Sequence, residues 1–428
     1  MRRILFAFLA VLLAIVPTAC RVQAESGSVF QPKLNTDIDC EITVIGSYSN
    51  FEALEAEFDR FNEIYPHVEL SYVKPDDYNN LLGMVLESNN APNIFFSFPW
   101  MYGNEKYETV FSHMEDLSDP QLGLDLDCIR SSLLSFDADG KLLMVPVFAR
   151  NYGMMVNNDL FEKEGLQVPT TWEELLAVCE VFRSKGYASP MMGYSRDSLG
   201  CLMNILVYPE VIAALANKPE VLQAANELEP SAGECMRGSL ESMMYLIGNG
   251  YINLEKCSEI SDNYTQVILR FFEGDVPMMI CTGDTVSGTG KRESQSEAFS
   301  KAPFTYSFTP VPLSEAGGYF VDSASVEFSV NKTCDNLDMT NEFMRFLITR
   351  NELNRMASLK RLVTPTTDLS FDSVYKPFGL VPTERVLSPE VIGITDPIAV
   401  QVRNAAFLVG TGNMTVDEAV SQYGSFSD

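Results

Sequence analysis

Residues 141–165 read KLLMVPVFARNYGMMVNNDLFEKEG, and this stretch decides how the chain is divided. The apolar runs 142–148 and 154–156 predict two strands, and the polar residues 157–159 predict the start of a short helix. A polar-aromatic break separates the two runs, and it consists of Arg150, Asn151 and Tyr152. A buried cation needs a partner, so we expect this break to lie at a cleft between two lobes.

Strand and helix patterns alternate in the segment before the break. Apolar runs predict strands at 41–46, 68–73 and 94–98, and helical spacing predicts helices over 51–64 and 77–87. Asn50 or Ser49 can cap the first of these helices. The alternation predicts a parallel sheet with helices on its faces, whose ligands would bind beyond the carboxyl ends of the strands.

Composition limits the classes of function. The chain has 428 residues, enough for two lobes, and a formal net charge of -28, which argues against nucleic acid as a partner. It has two histidines and no Cys/His cluster, so we expect neither a zinc site nor another cofactor. Apart from Cys20 there are eight cysteines, and none of them forms a close C-x-x-C pair.

The N-terminus has the features of an export signal. Arg2 and Arg3 precede an apolar run over 4–16, which is too short for an ordinary membrane-spanning helix. We expect residues 1–19 to be a signal peptide, Cys20 to be lipidated, and residues 20–35 to be a tether at the extracellular face of the cell membrane. Cleavage after Ala24 is the alternative, and it would give a secreted or periplasmic protein.

The segment that starts in the second half of the quoted stretch resembles a known family. The pattern comprises Pro146, Val156, Asn157, Asp159, Leu160, Phe161, Gly165, Pro169, Thr171, Trp172, Glu174 and Leu175. In this order and spacing it resembles the family 1 extracellular solute-binding proteins, the sugar-binding receptors of ABC importers. Residues 43–100 also resemble the opening of that family. The family usually has a Trp after the strand at 276–280, and this chain does not.

The resemblance implies an α/β, two-lobed periplasmic-binding-protein-like fold. Each lobe would be a mainly parallel sheet flanked by helices, and a hinge would join the lobes. Lobe 1 would comprise 36–149 plus about 306–350, and lobe 2 would comprise 150–305 plus about 351–428. The resemblance further implies a monomer that binds a mono- or oligosaccharide, docks on the permease subunits of an ABC transporter and is held at the membrane by its lipid.

Candidate ligand-binding residues combine aromatic platforms with polar groups, as a sugar requires. They are Tyr48, Ser49, Trp100, Arg150, Asn151, Tyr152, Tyr194, Asp284, Phe320 and Asp322. Trp100 could instead serve in packing. Arg150 could bind hydroxyls or a carboxylate of the ligand, or it could form an ion pair between the lobes with Asp284 or Asp322.

Two other functions stay open at this point. One is a receptor for another small solute, such as an acidic sugar or a polyamine. The other is an exported glycan-active enzyme, since carboxylates are plentiful and a glycosidase needs two of them. The sequence contains no G-x-S-x-G, H-E-x-x-H or phosphate-binding loop, so we expect a binding protein and no catalysis.

A substitution at Cys20 tests the predicted anchor. If Cys20 carries the lipid, Cys20→Ala removes the only attachment to the bilayer, and the protein should move from the membrane fraction to the soluble fraction. Immunoblotting of fractionated cells measures this. An equal, soluble distribution of wild type and variant would contradict lipidation and support cleavage after Ala24.

Overall fold

The strands of the protein form two sheets and a short two-stranded ribbon. The computed structural model describes residues 30–101, 104–194, 201–260, 264–369 and 372–427. In chain order the strands are β1 (Cys40–Ile45), β2 (Val68–Val73), β3 (Ile94–Ser97), β4 (Val145–Arg150), β5 (Tyr152–Asn157), β6 (Met191–Met192), β7 (Met278–Thr282), β8 (Tyr306–Thr309), β9 (Phe320–Val321), β10 (Ser323–Val330) and β11 (Val386–Leu387).

Helices cover much of the remaining chain. The α-helices are α1 (Glu52–Asn62), α2 (Tyr78–Leu86), α3 (Glu108–His113), α4 (Asn158–Glu164), α5 (Trp172–Ser184), α6 (Cys201–Leu215), α7 (Pro219–Asn226), α8 (Arg237–Gly248), α9 (Leu254–Ser258), α10 (Tyr264–Phe271), α11 (Gly283–Ser287), α12 (Thr289–Gln295), α13 (Glu297–Lys301), α14 (Leu337–Leu347), α15 (Arg350–Lys360), α16 (Pro389–Ile392), α17 (Asp396–Gly410) and α18 (Val416–Ser421). Short 3₁₀ helices cover Pro99–Met101, Glu105–Tyr107, Leu126–Cys128, Ser131–Leu133, Pro230–Met236, Ser373–Leu380 and Thr383–Arg385.

The chain divides into a unit Met1–Gln31 and a unit Pro32–Asp428. Of the first unit only residues 30 and 31 are described, so the predicted signal peptide, Cys20 and most of the predicted tether lie outside the described residues. No helix in the described part of the chain is both long and apolar enough to cross a membrane.

The first sheet has the strand order β2-β1-β3-β10-β4. β1 pairs in parallel with β2 and with β3, which confirms the parallel arrangement predicted from the alternation of strands and helices. β10 returns from a distant part of the sequence and runs antiparallel to both β3 and β4. The sheet is therefore parallel on the side of β1 and antiparallel on the side of β4.

The second sheet has the order β6-β7-β5-β8 and is less parallel than expected. β6 and β7 are parallel, whereas β5 runs antiparallel to both of its neighbours, β7 and β8. This corrects the expectation of a mainly parallel sheet in each lobe. Because β8 pairs with β5, residues 306–309 belong to the second sheet, and the return of the chain to the first lobe begins after β8.

A single residue connects the two sheets. β4 ends at Arg150 in the first sheet, and β5 begins at Tyr152 in the second, so only Asn151 lies between them. The apolar runs on either side are buried along almost their whole length, as continuous apolar strands require. The predicted strand, break and strand are confirmed.

The strand β4 forms one end of the first sheet. It contains Pro146, and proline has no N–H for a sheet ladder, so it is tolerated in an edge strand. The segment after α15 covers part of this edge, because the backbone N–H of Ala149 donates to the carbonyl oxygen of Val363 over 3.0 Å.

Aromatic side chains fill the core between α1 and the first sheet. Phe51 is fully buried, and its ring lies 5.3 Å from Tyr48, 5.6 Å from Tyr72, 5.7 Å from Phe96 and 5.9 Å from Phe148, between ring centroids. Phe51 is also the N-cap residue of α1, and no side chain caps this helix, so the expected capping by Asn50 or Ser49 is wrong. Burial of the aromatic ring takes precedence over a polar cap at this position.

The end of the predicted tether is bound to the first lobe. The backbone N–H of Lys33 donates to Oε1 of Glu342 over 2.7 Å, and the Tyr65 hydroxyl donates to the same oxygen over 2.6 Å. Arg345 pairs with this buried carboxylate at 2.8 Å. The last residues of the predicted tether, from Lys33 onward, therefore contact the folded part of the chain.

The cysteines with described side chains are free thiols: Cys40, Cys128, Cys179, Cys235, Cys257, Cys281 and Cys334. Cys179 is fully buried, as its place on the apolar face of α5 predicts. Thr171 and Glu174 form a capping box at the start of this helix, because each side chain bonds to the other residue's backbone N–H.

Truncation of Phe51 tests the aromatic core. Phe51→Ala leaves a cavity among the surrounding rings, so we expect the free energy of unfolding to fall by about 3–5 kcal/mol. Urea denaturation followed by circular dichroism measures it. Phe136→Ala is the matched control, because Phe136 is 53% exposed and its truncation should change stability by less than about 0.5 kcal/mol. Equal effects of the two substitutions would contradict this account of the core.

Candidate functional site

A cavity of about 470 Å³ lies beside the connection between the two sheets. Residues from five parts of the chain line it, namely the end of β3, the β4–β5 connection, the β9–β10 segment, α6 and the α16–α17 region. The lining residues are Pro99, Trp100, Arg150, Tyr152, Asn204, Tyr208, Val321, Ser323, Ala324, Ser325, Pro389, Glu390, Ile394, Thr395, Asp396, Ala399, Val400 and Arg403. This volume lies within the usual range for sites that bind small molecules.

Trp100 forms part of the cavity wall that follows β3. Its indole stacks on Phe98 with a centroid distance of 5.4 Å and an interplanar angle of 13°. Tyr107 contacts the indole edge-on, also at 5.4 Å. The half-buried Trp100 is therefore held by packing and also contributes apolar surface to the cavity, so both of the roles foreseen for it have a structural basis.

Tyr152 and Tyr208 form a second aromatic wall. Their rings meet edge-on, with centroids 5.9 Å apart and an interplanar angle of 81°. Burial raises the pKa of Tyr208 well above its usual value, so its hydroxyl is neutral and can donate a hydrogen bond. On the same helix, Oδ1 of Asn204 is buried and has no hydrogen-bond partner among the described residues.

Arg150 forms an ion pair at the cavity. Its Nε lies 3.2 Å from Oδ2 of Asp284, the second residue of α11. The other oxygen of Asp284 accepts a hydrogen bond from the hydroxyl of Ser325 on β10 over 3.0 Å. The ion pair with Asp284, one of the alternatives from the sequence, is confirmed, and Arg150 also lines the cavity.

Asp322 and Phe320, two of the predicted ligand-binding residues, contact other protein side chains instead of lining the cavity. Asp322 is 2% exposed, and Arg130 donates to both of its oxygens, over 2.8 Å from Nε and 2.6 Å from Nη2. Phe320 is 1% exposed and packs edge-on against Phe378 at 5.5 Å. Neither residue lines the cavity, and the alternative ion pair between Arg150 and Asp322 is replaced by the pair with Arg130. Their contact with a ligand stays a prediction.

Five further candidates lie outside the lining of this cavity, and one of them is Asp284, the partner of Arg150. The ring of Tyr48 packs against Phe51, with Nζ of Lys360 4.5 Å from its centroid, and Ser49 next to it is exposed. Tyr194 is almost buried, and its carbonyl accepts from the N–H of Leu202. Asn151 is fully buried, and the rest of the described chain offers its side-chain amide no hydrogen bond.

Several residues that line the cavity were not predicted from the sequence, because they lie in the helical C-terminal region and in α6. Asp396, Ala399, Val400 and Arg403 are spaced by three, one and three residues, which places them on one face of α17. Asn204 and Tyr208 are four residues apart on α6 and share a face in the same way. Helical spacing of polar residues was the available signal, although it does not show which face meets a cavity.

Two buried carboxyl groups lie at this part of the fold. Burial raises the pKa of Glu390, which lines the cavity, to about 7. Burial also raises the pKa of Glu327 on β10 well above its usual value, and the nearby Glu390 adds to this rise. Glu327 is 1% exposed, and neither carboxyl oxygen has a hydrogen-bond partner among the described residues, so Glu327 is neutral.

The residues that line the cavity include equal numbers of basic and acidic side chains. Arg150 and Arg403 contribute two positive charges, and Glu390 and Asp396 contribute two carboxyl groups. Within the described residues, no group of three or more His, Cys, Asp or Glu side chains is arranged to hold a metal ion. The cavity thus combines aromatic walls with donors and acceptors of both kinds, which suits a polar organic ligand.

Two sheets flanked by helices, joined by crossing strands beside a polar and aromatic cavity, define a two-lobed binding protein. The chain belongs to the family of bacterial extracellular solute-binding proteins, whose pattern matches residues 46–350. This match covers more than half of the chain.

One curated relative is the melibiose/raffinose/stachyose-binding protein MelE of Bacillus subtilis. The chain is 25% identical to it over 195 residues, which is 45% of this chain and 43% of the relative. The chain thus spans less than half the length of the curated relatives it matches.

Solved structures share the fold over almost their full length. A sugar transporter protein from Bacillus licheniformis in complex with stachyose has a TM-score of 0.63 at 16% identity, covering 90% of this chain and 100% of that one. The solute-binding protein RafE in complex with raffinose has a TM-score of 0.67 at 19% identity, covering 90% and 98%. At such low identity these similarities establish the two-lobed fold alone.

Removal of Asp322 tests whether its contacts are structural. Asp322→Ala leaves the Arg130 guanidinium in a largely buried place without its carboxylate, so we expect a loss of about 3–5 kcal/mol in the free energy of unfolding. Asp139→Ala is the control, because the Asp139 side chain is 79% exposed and only 3.9 Å from Lys141. It should change stability by less than about 0.5 kcal/mol. Urea denaturation measures both, and a stable Asp322 variant would argue against a structural role.

Proposed function

We propose that the protein is the extracellular solute-binding component of an ABC importer, and that it binds a mono- or oligosaccharide in the cavity and delivers it to the permease. The observation that carries this proposal is that the aromatic residues Trp100, Tyr152 and Tyr208 line one cavity together with polar and charged side chains. Aromatic faces cover the C–H surfaces of a sugar ring, and polar groups bind its hydroxyls. The family and the sugars named for the relatives support it.

The charges of the cavity favour a neutral sugar over an acidic sugar or a polyamine. An anionic ligand needs an excess of positive groups, and Arg150 is already paired with Asp284. A polyamine needs an excess of carboxylates, and the lining contributes two carboxyl groups, Glu390 and Asp396, beside the guanidinium of Arg403. Arg150 would then donate to sugar hydroxyls while Asp284 and Ser325 hold its orientation.

The family, which is a solute-binding class, supports binding without catalysis. The enzyme alternative would use Glu390 and Asp396, the two carboxyl groups of the lining, as the acid and base of a glycosidase. Incubation of the pure protein with each saccharide, followed by chromatography of the products, distinguishes the two. Release of shorter sugars would favour the enzyme.

Ligand capture would involve closure of the two lobes. Asn151 is the one residue between β4 and β5, so a change in its backbone angles would turn the second sheet relative to the first. The lobes would comprise about 36–149, 310–350 and α15 on one side and 150–309 with the remaining C-terminal region on the other. The chain would act as a monomer, held at the extracellular face of the membrane through Cys20.

A binding screen with two tryptophan variants tests the function. Thermal unfolding is measured with raffinose, stachyose, melibiose and chitin oligosaccharides, and with glucuronic acid and spermidine as charged alternatives. A ligand that binds the native state raises the melting temperature. Calorimetry with the best saccharide should show that Trp100→Ala weakens binding by roughly 1–3 kcal/mol, with little effect of salt because a neutral ligand carries no charge.

Trp172→Ala is the matched control for this screen. Trp172 is the other tryptophan of the chain; it is half-buried on α5, contacts Tyr245 at 6.0 Å and does not line the cavity. Its truncation should leave the saccharide affinity unchanged. Tight binding of glucuronic acid or spermidine with a strong salt dependence, or the absence of any saccharide binding, would overturn the proposed ligand class.

A further inference from the structure

Glu390 has an unusual place among the groups of the cavity. It lies in the short helix α16 and lines the cavity. The polar groups of Ser323 and Ala324 lie near its carboxyl group and favour the charged form, but the effect of burial on its pKa is larger and opposite. Its Oε2 is buried, and no hydrogen-bond partner for this atom occurs in the described part of the chain. This oxygen therefore has an unused hydrogen-bonding capacity within the described residues.

The groups packed around Glu390 do little to stabilise a negative charge on it. From the β9–β10 segment, the nearby Asp322 opposes ionisation, and its own charge is already matched by Arg130. Glu327 on β10 is buried and neutral. From α6, the hydroxyl of Tyr208 interacts electrostatically with Glu390 and is neutral as well.

The remaining charged groups share the cavity with Glu390. Asp396 and Arg403 are contributed by α17, and Arg150 is contributed by β4. Arg150 is paired with Asp284, and Asp396 contributes one carboxyl group and Arg403 one guanidinium group to the lining. The surroundings of Glu390 thus contain no excess of positive charge that would keep it ionised once water leaves.

Filling the cavity changes the balance between the two forms of Glu390. In the empty protein, burial has already raised its pKa to about 7, so both forms are populated near neutral pH. A saccharide that replaces cavity water removes solvation from the charged form and leaves the neutral form largely unaffected. A protonated carboxyl also has an O–H donor, which a ring, glycosidic or hydroxyl oxygen of a sugar can accept.

We propose that Glu390 contacts the saccharide as a protonated carboxyl group, so that binding takes up a proton from the solvent wherever Glu390 is ionised in the empty protein. This inference rests on the proposed function of the cavity. The proton comes from water or buffer and stays on Glu390 while the ligand is bound. Glu390 would then be a specificity-determining residue that selects an acceptor oxygen on the sugar and links affinity to pH.

The sign of the pH dependence follows from this linkage. The binding-competent form is protonated, so affinity is highest below the pKa of Glu390 in the empty protein and falls as pH rises above it. With that pKa at about 7, the dissociation constant should rise by about 30-fold between roughly pH 6.0 and 8.5. Glutamine resembles a protonated carboxyl in shape and in its ability to donate, so Glu390→Gln should bind with an affinity that is independent of pH.

Titration of three proteins over this pH range tests the proposal. Wild type, Glu390→Gln and the control Glu384→Gln are titrated with raffinose, or with the saccharide of the screen that binds most tightly. Glu384 is an exposed carboxylate six residues before Glu390, so its variant should keep the wild-type pH dependence. A flat wild-type profile, or a variant Glu390→Gln that keeps the wild-type slope, would overturn the proposal while leaving saccharide binding established.

Calorimetry of the wild type alone gives a second, independent measurement. Binding at pH 8 is measured in phosphate and in Tris buffer, which differ in ionisation enthalpy, and the difference gives the number of protons exchanged. We expect an uptake of about 0.9 proton per saccharide. Zero uptake would overturn the proposal even if the glutamine variant does not fold. Failure of every saccharide to bind at any pH would overturn the proposed function, and the role of Glu390 with it.

Discussion

The ion pair between Arg150 and Asp284 occurs where the two sheets meet, and the arrangement of the cavity depends on it. Arg150 is the last residue of β4, and Asp284 lies at the start of the helix after β7. Ser325 of β10 donates to the same carboxylate, so three chain segments are tied at one point. The pair is partly exposed and contributes little to stability by itself. Its effect is to hold the guanidinium group of Arg150 at the cavity wall, where the carboxylate of Asp284 already neutralises its charge.

The sequence predicted the elements whose signals are local. The apolar runs of β1 to β5 and the helical spacing of α1 are each contained in a short window. The same is true of the break at Arg150, since a polar-aromatic triplet between two buried strands is unfavourable anywhere except at a cleft. Trp100, Arg150 and Tyr152 line the cavity because they immediately follow or separate such strands.

Features that depend on residues far apart in the sequence could not be predicted from local patterns. Arg130 and Asp322 are separated by 192 positions, and no local pattern marks them as a pair. The antiparallel direction of β10 depends on which strands it meets after a long excursion. Asn204, Glu390 and Arg403 reach the cavity only because α6, α16 and α17 converge on the β4–β5 connection. Tertiary packing, rather than periodicity, selects these residues.

The edge position of β4 has a consequence for the behaviour of the chain at high concentration. Residues 145–149, VPVFA, are apolar and uncharged, and such a segment at a sheet edge can recruit the same segment of another molecule into an intermolecular sheet. Pro146 removes one ladder donor from this segment, and the bond from Ala149 to Val363 occupies another. The strand that carries the chain from one sheet to the other is thereby also protected against aggregation.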